Sequence, residues 1–136
     1  MATSRSQAQT RSGSNQFYGV DGTFAFFNNL LFNSYSFGIH AYTQAGRVNN
    51  FIFDGNIAFN HGVLSQASGA KSNILLGGNQ IAYNGVVTNN LSYMTAGNNG
   101  RGADIGYVTT CVDGTIDNNY FISYPSKSIN FNCFNS

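Results

Sequence analysis

A short pattern built around an asparagine recurs four times along the chain. In each copy an apolar residue stands three places before the asparagine, and further apolar residues stand one and three places after it. The copies span 26–32, 53–59, 87–93 and 116–122, and their shared asparagines are Asn29, Asn56, Asn90 and Asn119. The steps between these asparagines are 27, 34 and 29 residues. A period of this length is typical of chains that stack supersecondary units.

The residue before each shared asparagine is Asn or Gly, which indicates a tight corner between two short strands. Both residue types tolerate left-handed backbone angles, and an Asn side chain can bond backbone groups that a bend leaves unpaired. Stacked units would place the four asparagines in one amide ladder, beside apolar rows. The expected rows are Phe26, Phe53, Val87 and Ile116 before the corner, then Leu30, Ile57, Leu91 and Tyr120, then Phe32, Phe59, Tyr93 and Ile122.

A further strand is expected in each unit, at 38–42, 73–76, 104–107 and 128–131. Its first isoleucine follows the shared asparagine by 10, 18, 15 and 10 residues. The length variation therefore falls in one connecting segment, while the strand–corner–strand lengths stay constant. This is how stacked repeats behave, because loops on one face absorb insertions.

The pattern resembles the right-handed parallel β-helix proteins of the pectate lyase superfamily, and most closely secreted bacterial proteins with such repeats. The resemblance covers 17–134 through FNNLLFNSYSFGIHAY, FIFDGNIAFNHG, ILLGG, GVVTNNLSY and TIDNNYFIS. It implies an all-β, right-handed parallel β-helix (a β-solenoid) of about four to five coils with an Asn corner ladder. It also implies an extracellular or cell-surface location. A β-sandwich or jelly roll is the alternative fold, but neither requires Asn at equivalent corners.

Composition fits one all-β domain over residues 15–136, preceded by a flexible tail at 1–14 that lacks aromatic and branched aliphatic residues. Charged residues are only 8% of the chain, Glu is absent and the net charge is +1, so a nucleic-acid partner is not expected. A helical bundle is excluded by the same composition. No stretch approaches 18 apolar residues, so no membrane span is expected.

Two carboxylates, Asp54 and Asp117, occupy the same position in units two and four. They would lie about 10 Å apart, which is marginal for an inverting glycosidase pair, and they are expected to be outward turn residues. The Asp-Asp, Gly-His-Gly and Arg-Ile-Lys sets of polygalacturonase-like enzymes are absent. No catalytic residue, cofactor or metal is predicted, since His40 and His61 lack a third ligand. Both histidines are expected at the surface.

The variable segments 33–37, 61–72 and 94–103 should project from one side of the stack. Neutral amides with an aromatic ring suit the hydroxyls and apolar faces of a sugar. The candidate sugar-facing residues are Tyr35, His61, Lys71, Asn98 and Arg101. The alternative is a set of ordinary polar loops.

The two cysteines, Cys111 and Cys133, fall six and four residues after the isoleucines of their strands. An offset of two residues is about 6.6 Å along a strand, which stretches the Cα separation that a disulfide allows. Two buried free thiols are therefore expected.

Three functions fit these observations. The favoured one is a non-catalytic structural β-solenoid that associates end to end into a homo-oligomer, as an extracellular filament or surface assembly, because a short stack exposes strand edges and the cross-section of its core. The alternatives are a polysaccharide-binding module, and a polysaccharide lyase or glycoside hydrolase, or a fragment of one.

Overall fold

A computed structural model describes residues 23–43, 48–63, 71–95, 100–107, 111–123 and 130–131. These ranges are all-β, with strands in four successive units and no helix. Unit 1 contains β1 (Phe24–Phe27), β2 (Leu30–Phe32) and β3 (Ile39–Thr43). Unit 2 contains β4 (Val48–Asn49), β5 (Phe51–Asp54), β6 (Ile57–Phe59) and β7 (Ser72–Gly78). Unit 3 contains β8 (Ala82–Tyr83), β9 (Val86–Thr88), β10 (Leu91–Met94) and β11 (Arg101–Ile105). Unit 4 contains β12 (Cys111–Val112), β13 (Thr115–Asp117), β14 (Tyr120–Ser123) and β15 (Asn130–Phe131).

Every strand pairs in parallel with its counterpart in the next unit. The strands before the asparagine corner form the pre-corner sheet, ordered β1-β5-β9-β13, and those after it form the post-corner sheet, ordered β2-β6-β10-β14. The third set forms the closing sheet, β3-β7-β11-β15, and the shortest strands form a three-stranded sheet, β4-β8-β12. A membrane-spanning helix is not found within the described ranges.

The pre-corner row lies in the core, as the repeat predicts. Phe26 pairs with Phe53, Phe53 with Val87, and Val87 with Ile116. Phe53 and Val87 are fully buried, whereas Phe26 and Ile116 in the outer units are partly buried. The rings of Phe26 and Phe53 meet edge to face, with centroids 5.6 Å apart. A continuous apolar row therefore runs through all four units.

The two rows after the corner are in register, but they face outward. Leu30, Ile57, Leu91 and Tyr120 share one column and Phe32, Phe59, Tyr93 and Ile122 share another. Leu31 and Ala58, which stand between the columns, point into the core instead. Because the shared asparagine points inward, strand alternation turns the residue after it outward.

The corner uses left-handed backbone in all four units. The residue before the shared asparagine has φ of 53° at Asn28, 68° at Gly55, 55° at Asn89 and 51° at Asn118. Only Gly, Asn and Asp adopt this region at low cost. At Gly55 space adds to this requirement, because a Cβ would collide with Oδ1 of Asn28.

The shared asparagines form a directional ladder. The backbone N–H and Nδ2 of Asn29 both donate to Oδ1 of Asn56, at 3.1 and 2.9 Å. Asn56 donates in the same way to Asn90, and Asn90 to Asn119. The second Nδ2 hydrogen of Asn56 reaches back to the Phe26 carbonyl at 2.8 Å, and Asn90 and Asn119 repeat this contact. Each internal amide is thus fully hydrogen-bonded although it is buried.

The register of the closing sheet differs in part from the expected one. Ile39 pairs with Ile74 as expected, but Ile105 pairs with Leu76 and with Phe131. The expected equivalence in unit three is therefore wrong by two residues, because Ala103 and not Ile105 pairs with Ile74. A two-residue slip keeps every side chain on the same face, so the alternation of apolar residues could not reveal it.

Cys111 is disulfide-bonded, so the prediction of free thiols is wrong for this residue. The prediction counted residues along an extended strand. The chain instead bends at Gly106, where φ is 78°, before it reaches β12. Residue spacing beyond that bend does not measure distance along a strand. Cys133 lies outside the described residues, as does the tail at 1–14.

We expect Phe53→Ala to lower the free energy of unfolding by about 3–5 kcal/mol, since it opens a cavity in the apolar row. Phe27→Ala is the matched control, because Phe27 follows Phe26 on β1 and is 51% exposed. Urea unfolding monitored by circular dichroism would measure both. Equal losses would contradict the assignment of inward and outward positions.

We expect Asn56→Leu to destabilise the chain by about 1–3 kcal/mol for each buried group left unpaired, namely the Asn29 N–H and the Phe26 carbonyl. Asn79→Leu makes the same change at an exposed asparagine and should cost little. The same unfolding measurement compares them. A loss at Asn56 no larger than at Asn79 would show that the ladder is not a main source of stability.

Candidate functional site

The five candidate sugar-facing residues have different environments. Tyr35 is 58% exposed, while His61 and Lys71 are buried. The Arg101 guanidinium pairs with the fully buried Asp104 carboxylate through an Nη1–Oδ2 distance of 2.6 Å. Asn98 lies outside the described residues. His61 and Lys71 are therefore not available to a ligand that rests on the surface.

His61 was expected at the surface, and the structure buries it to 2% exposure. Its ring lies against Gly38 of the preceding unit, where a Cβ would stand 2.5 Å from Cδ2 and 2.6 Å from Nε2. The absence of a side chain at Gly38 is what admits the ring. Sequence reasoning could not find this contact, because it joins the start of a strand in one unit to a variable segment of the next, and the two share no pattern.

The His61 ring is held by Ser34. The Ser34 N–H donates to Nδ1 at 3.1 Å, and the Ser34 hydroxyl oxygen lies 2.7 Å from the same nitrogen. That hydroxyl also donates to the Phe37 carbonyl at 2.6 Å. With Nδ1 as acceptor, the neutral ring carries its proton on Nε2, which is buried and has no hydrogen-bond partner in the described part of the chain. The Ser34 hydroxyl is engaged by the turn, so this pair holds the loop in place.

Asn73 connects this turn to unit 3. Its Oδ1 accepts from the His61 N–H at 3.0 Å, and its Nδ2 lies within bonding distance of the Ala58 and Tyr93 carbonyls and the Ser92 hydroxyl. Ser92 in turn donates to the Gly102 carbonyl. A buried polar network with this many bonds stiffens the side of the stack that carries the variable segments.

Burial lowers the pKa of His61, and the Leu31 backbone partly opposes this shift. Burial also lowers the pKa of His40, whose ring stacks on Phe37 with centroids 4.0 Å apart. His40 alternates with the core residues Ile39 and Ala41 and so faces outward as expected, but it is half-buried. Both histidines favour the neutral form in the folded chain.

The outward carboxylates belong to the corner. Asp54 and Asp117 share one column with Thr88 between them, so they lie two strands, or about 10 Å, apart. Asp54 Oδ1 accepts from Asn89 Nδ2 at 2.7 Å and from Thr88 Oγ1 at 2.9 Å, and these bonds lower its pKa. Asp117 accepts from the Asn118 N–H at 2.9 Å. Both bond corner residues, as the sequence predicts.

The described residues contain no group of three or more His, Cys, Asp or Glu side chains that could hold a metal ion. Asp104 is the buried, ion-paired carboxylate that sequence reasoning did not single out. It stands between the core residues Ala103 and Ile105, and nothing in the local pattern distinguishes it from an exposed outward aspartate.

The two ends of the ladder present complementary groups. Asn29 Oδ1 accepts no hydrogen bond from the described residues, whereas the equivalent oxygens of Asn56, Asn90 and Asn119 each accept two. At the other end, the Asn119 N–H donates to no described residue and its Nδ2 donates only to the Val87 carbonyl. Among the described residues, unit 1 thus has an acceptor, and unit 4 has donors, of the kind that bond between adjacent units.

The outer face of the post-corner sheet carries seven of the eleven exposed large hydrophobic side chains in the described ranges. We call it the apolar face, and it consists of Leu30, Ile57, Leu91, Tyr120, Phe32, Phe59, Tyr93 and Ile122. Seven of its eight side chains are 38% to 73% exposed. The Phe32 and Phe59 rings are nearly parallel, with centroids 5.2 Å apart.

No protein-family model, curated protein or solved structure matches the chain.

We expect stability to fall as the pH drops below about 6.5, the usual histidine pKa. The unfolded chain takes up protons on histidine there, while the folded chain, whose two histidine pKa values are lowered, does so only at lower pH. Stability is thus complete above that pH and is lost progressively below it. Urea unfolding at several pH values between 7.5 and 5, a range chosen to bracket about 6.5, measures this loss of stability.

His61→Asn should reduce this pH dependence, because an amide oxygen can still accept from Ser34 N–H but does not take up a proton. His40→Asn is the control, because it keeps the part of the pH dependence that comes from His61. A pH profile unchanged by His61→Asn would contradict the assignment.

Proposed function

We propose that this chain is a right-handed parallel β-helix that serves as a non-catalytic structural element and associates end to end with further copies of itself. The β-helix is supported by four parallel sheets in which each strand pairs with its equivalent one unit later. The constant lengths of the corner support it too, since the left-handed residue recurs beside every shared asparagine.

The observation that carries the end-to-end association is the polarity of the asparagine ladder. If unit 4 of one copy meets unit 1 of another, Asn119 of the first can donate to Asn29 Oδ1 of the second, as each internal asparagine does. The Asn29 Nδ2 would then reach the Ile116 carbonyl, which is equivalent to the Phe26 carbonyl bonded by Asn56. The joint would repeat the bonds already present between units.

Burial along the core row supports the same joint. Phe53 and Val87 in the middle units are fully buried, but Phe26 and Ile116 at the two ends are only partly buried. Stacking would bring Phe26 of one copy against Ile116 of another and complete the row. Such a contact is heterologous, so its repetition gives an open filament when the rotation does not close a ring.

The location that we propose is extracellular or at the cell surface. The disulfide at Cys111 supports it, because structural disulfides persist mainly in oxidising compartments. The non-catalytic role is supported by the carboxylates, since Asp54 bonds the corner residues and Asp104 is paired with Arg101.

Sedimentation velocity over a concentration series tests the association. We expect wild-type protein to form larger species as its concentration rises. Ile116→Lys should weaken the joint about tenfold to hundredfold, because a side chain of this size contributes about 1.5–3 kcal/mol on burial. Thr115→Lys is the control, because it adds the same charge on the exposed face of the same strand.

The heterologous geometry allows a sharper test. Phe26→Lys blocks the end opposite to that blocked by Ile116→Lys, so each variant retains one intact end. Mixing the two should produce a species larger than either variant forms alone. Wild-type protein that stays monodisperse and monomeric at high concentration would refute the proposal.

A further inference from the structure

The apolar face has an apolar residue at every outward position, which the fold does not require. The post-corner sheet needs apolar side chains only on its inner side, where Leu31 and Ala58 lie. Its outer side nevertheless carries an apolar residue at all eight positions of the two columns, and none of them is charged. Outward positions of the pre-corner sheet, by contrast, include Asp54, Thr88 and Asp117.

The face is large for a surface that stays in water. An aromatic side chain presents roughly 150–250 Å², so the exposed fractions together give on the order of 600 Å². That value lies at the upper limit for the largest apolar patch of a typical monomer. Two such faces pressed together would bury about 1,200 Å², which is the lower limit of specific protein–protein interfaces.

The borders of the face are polar, and on one side Asp54 bonds the border residue Asn89. One long edge carries Asn28, Asn89 and Asn118, and the Asn118 amide donates to the Asn89 oxygen. The other edge carries Asn33 and Asn60, and Asn60 Oδ1 accepts from the Thr95 N–H at 3.1 Å. An apolar centre without charged residues and with a polar rim is the composition of a protein–protein contact.

We propose that the apolar face pairs with the same face of a second copy of this chain. Self-pairing places no charged side chain within the contact, because none of the eight residues of the face is charged. The face is the outer side of a parallel sheet, so two copies can pack as the layers of a β-sandwich do, about 10 Å apart. The contact is isologous and closes as a dimer.

Other occupants fit the face less well. A sugar is recognised by several polar groups placed among apolar ones, and the face offers only the hydroxyls of Tyr93 and Tyr120. An anionic membrane surface is held by basic side chains beside an apolar patch. In the described ranges the basic side chains are Lys71, which is buried, and Arg101, which is paired with Asp104.

Face pairing does not rest on the end-to-end association, and the Ile116→Lys variant separates the two. With its end blocked, this variant should sediment as a dimer at a concentration on the order of 100 µM, because interfaces of this size are transient. Adding Leu91→Lys, at the centre of the face, should convert the dimer to a monomer. Adding Val63→Lys instead should leave the dimer intact, since Val63 is 48% exposed but lies off the face.

A monomeric Ile116→Lys protein at that concentration would overturn face pairing. If it forms large assemblies that Leu91→Lys reduces, pairing stands and the end-to-end proposal fails; if Leu91→Lys has no effect on them, pairing fails. Retention on insoluble polysaccharide or on anionic vesicles that requires Leu91, without dimer formation, would also overturn it. Should Leu91→Lys lose its β-sheet circular dichroism, Tyr93→Lys on the same strand replaces it.

Discussion

The inward asparagine at each corner is the constraint on which the rest of the structure depends. An amide in the core must satisfy both its oxygen and its NH₂ group, and here only the asparagines of the neighbouring units and a backbone carbonyl can do so. The units must therefore stack in one register. That register places Phe53 above Val87 inside the core and turns Leu91 and its column outward, since alternation is counted from the asparagine.

The sequence predicts the features that recur at the same position in every repeat. The corner, the asparagine column and the Phe26-to-Ile116 row all recur with fixed spacing, so their neighbours in space could be inferred from equivalent positions. The direction of the rows after the corner was also encoded. It follows from counting alternation from an inward Asn29, which turns Leu30 and its column outward.

The remaining features depend on contacts between segments that have no shared pattern. His61 is buried because Gly38 of another unit leaves room for its ring and Ser34 supplies its donor. The pairing of Ile105 with Leu76 differs from the expected one by two residues, a slip that leaves alternation unchanged. The disulfide at Cys111 follows a bend at Gly106 that residue counting did not include.

The two proposed contacts, end to end and face to face, would be stabilised by different interactions. At the ladder ends, water can bond the Asn29 oxygen and the Asn119 N–H in the separate chains, so completing these bonds adds little net free energy. The gain would come from covering Phe26 and Ile116, while the amides would fix direction and register, because a reversed or shifted joint leaves them unpaired. The apolar face has no such groups at its centre, so burial alone would hold the pair together. The asparagine ladder would then set the direction of the end-to-end joint. The apolar face, which the same ladder turns outward, would hold neighbouring copies together side by side.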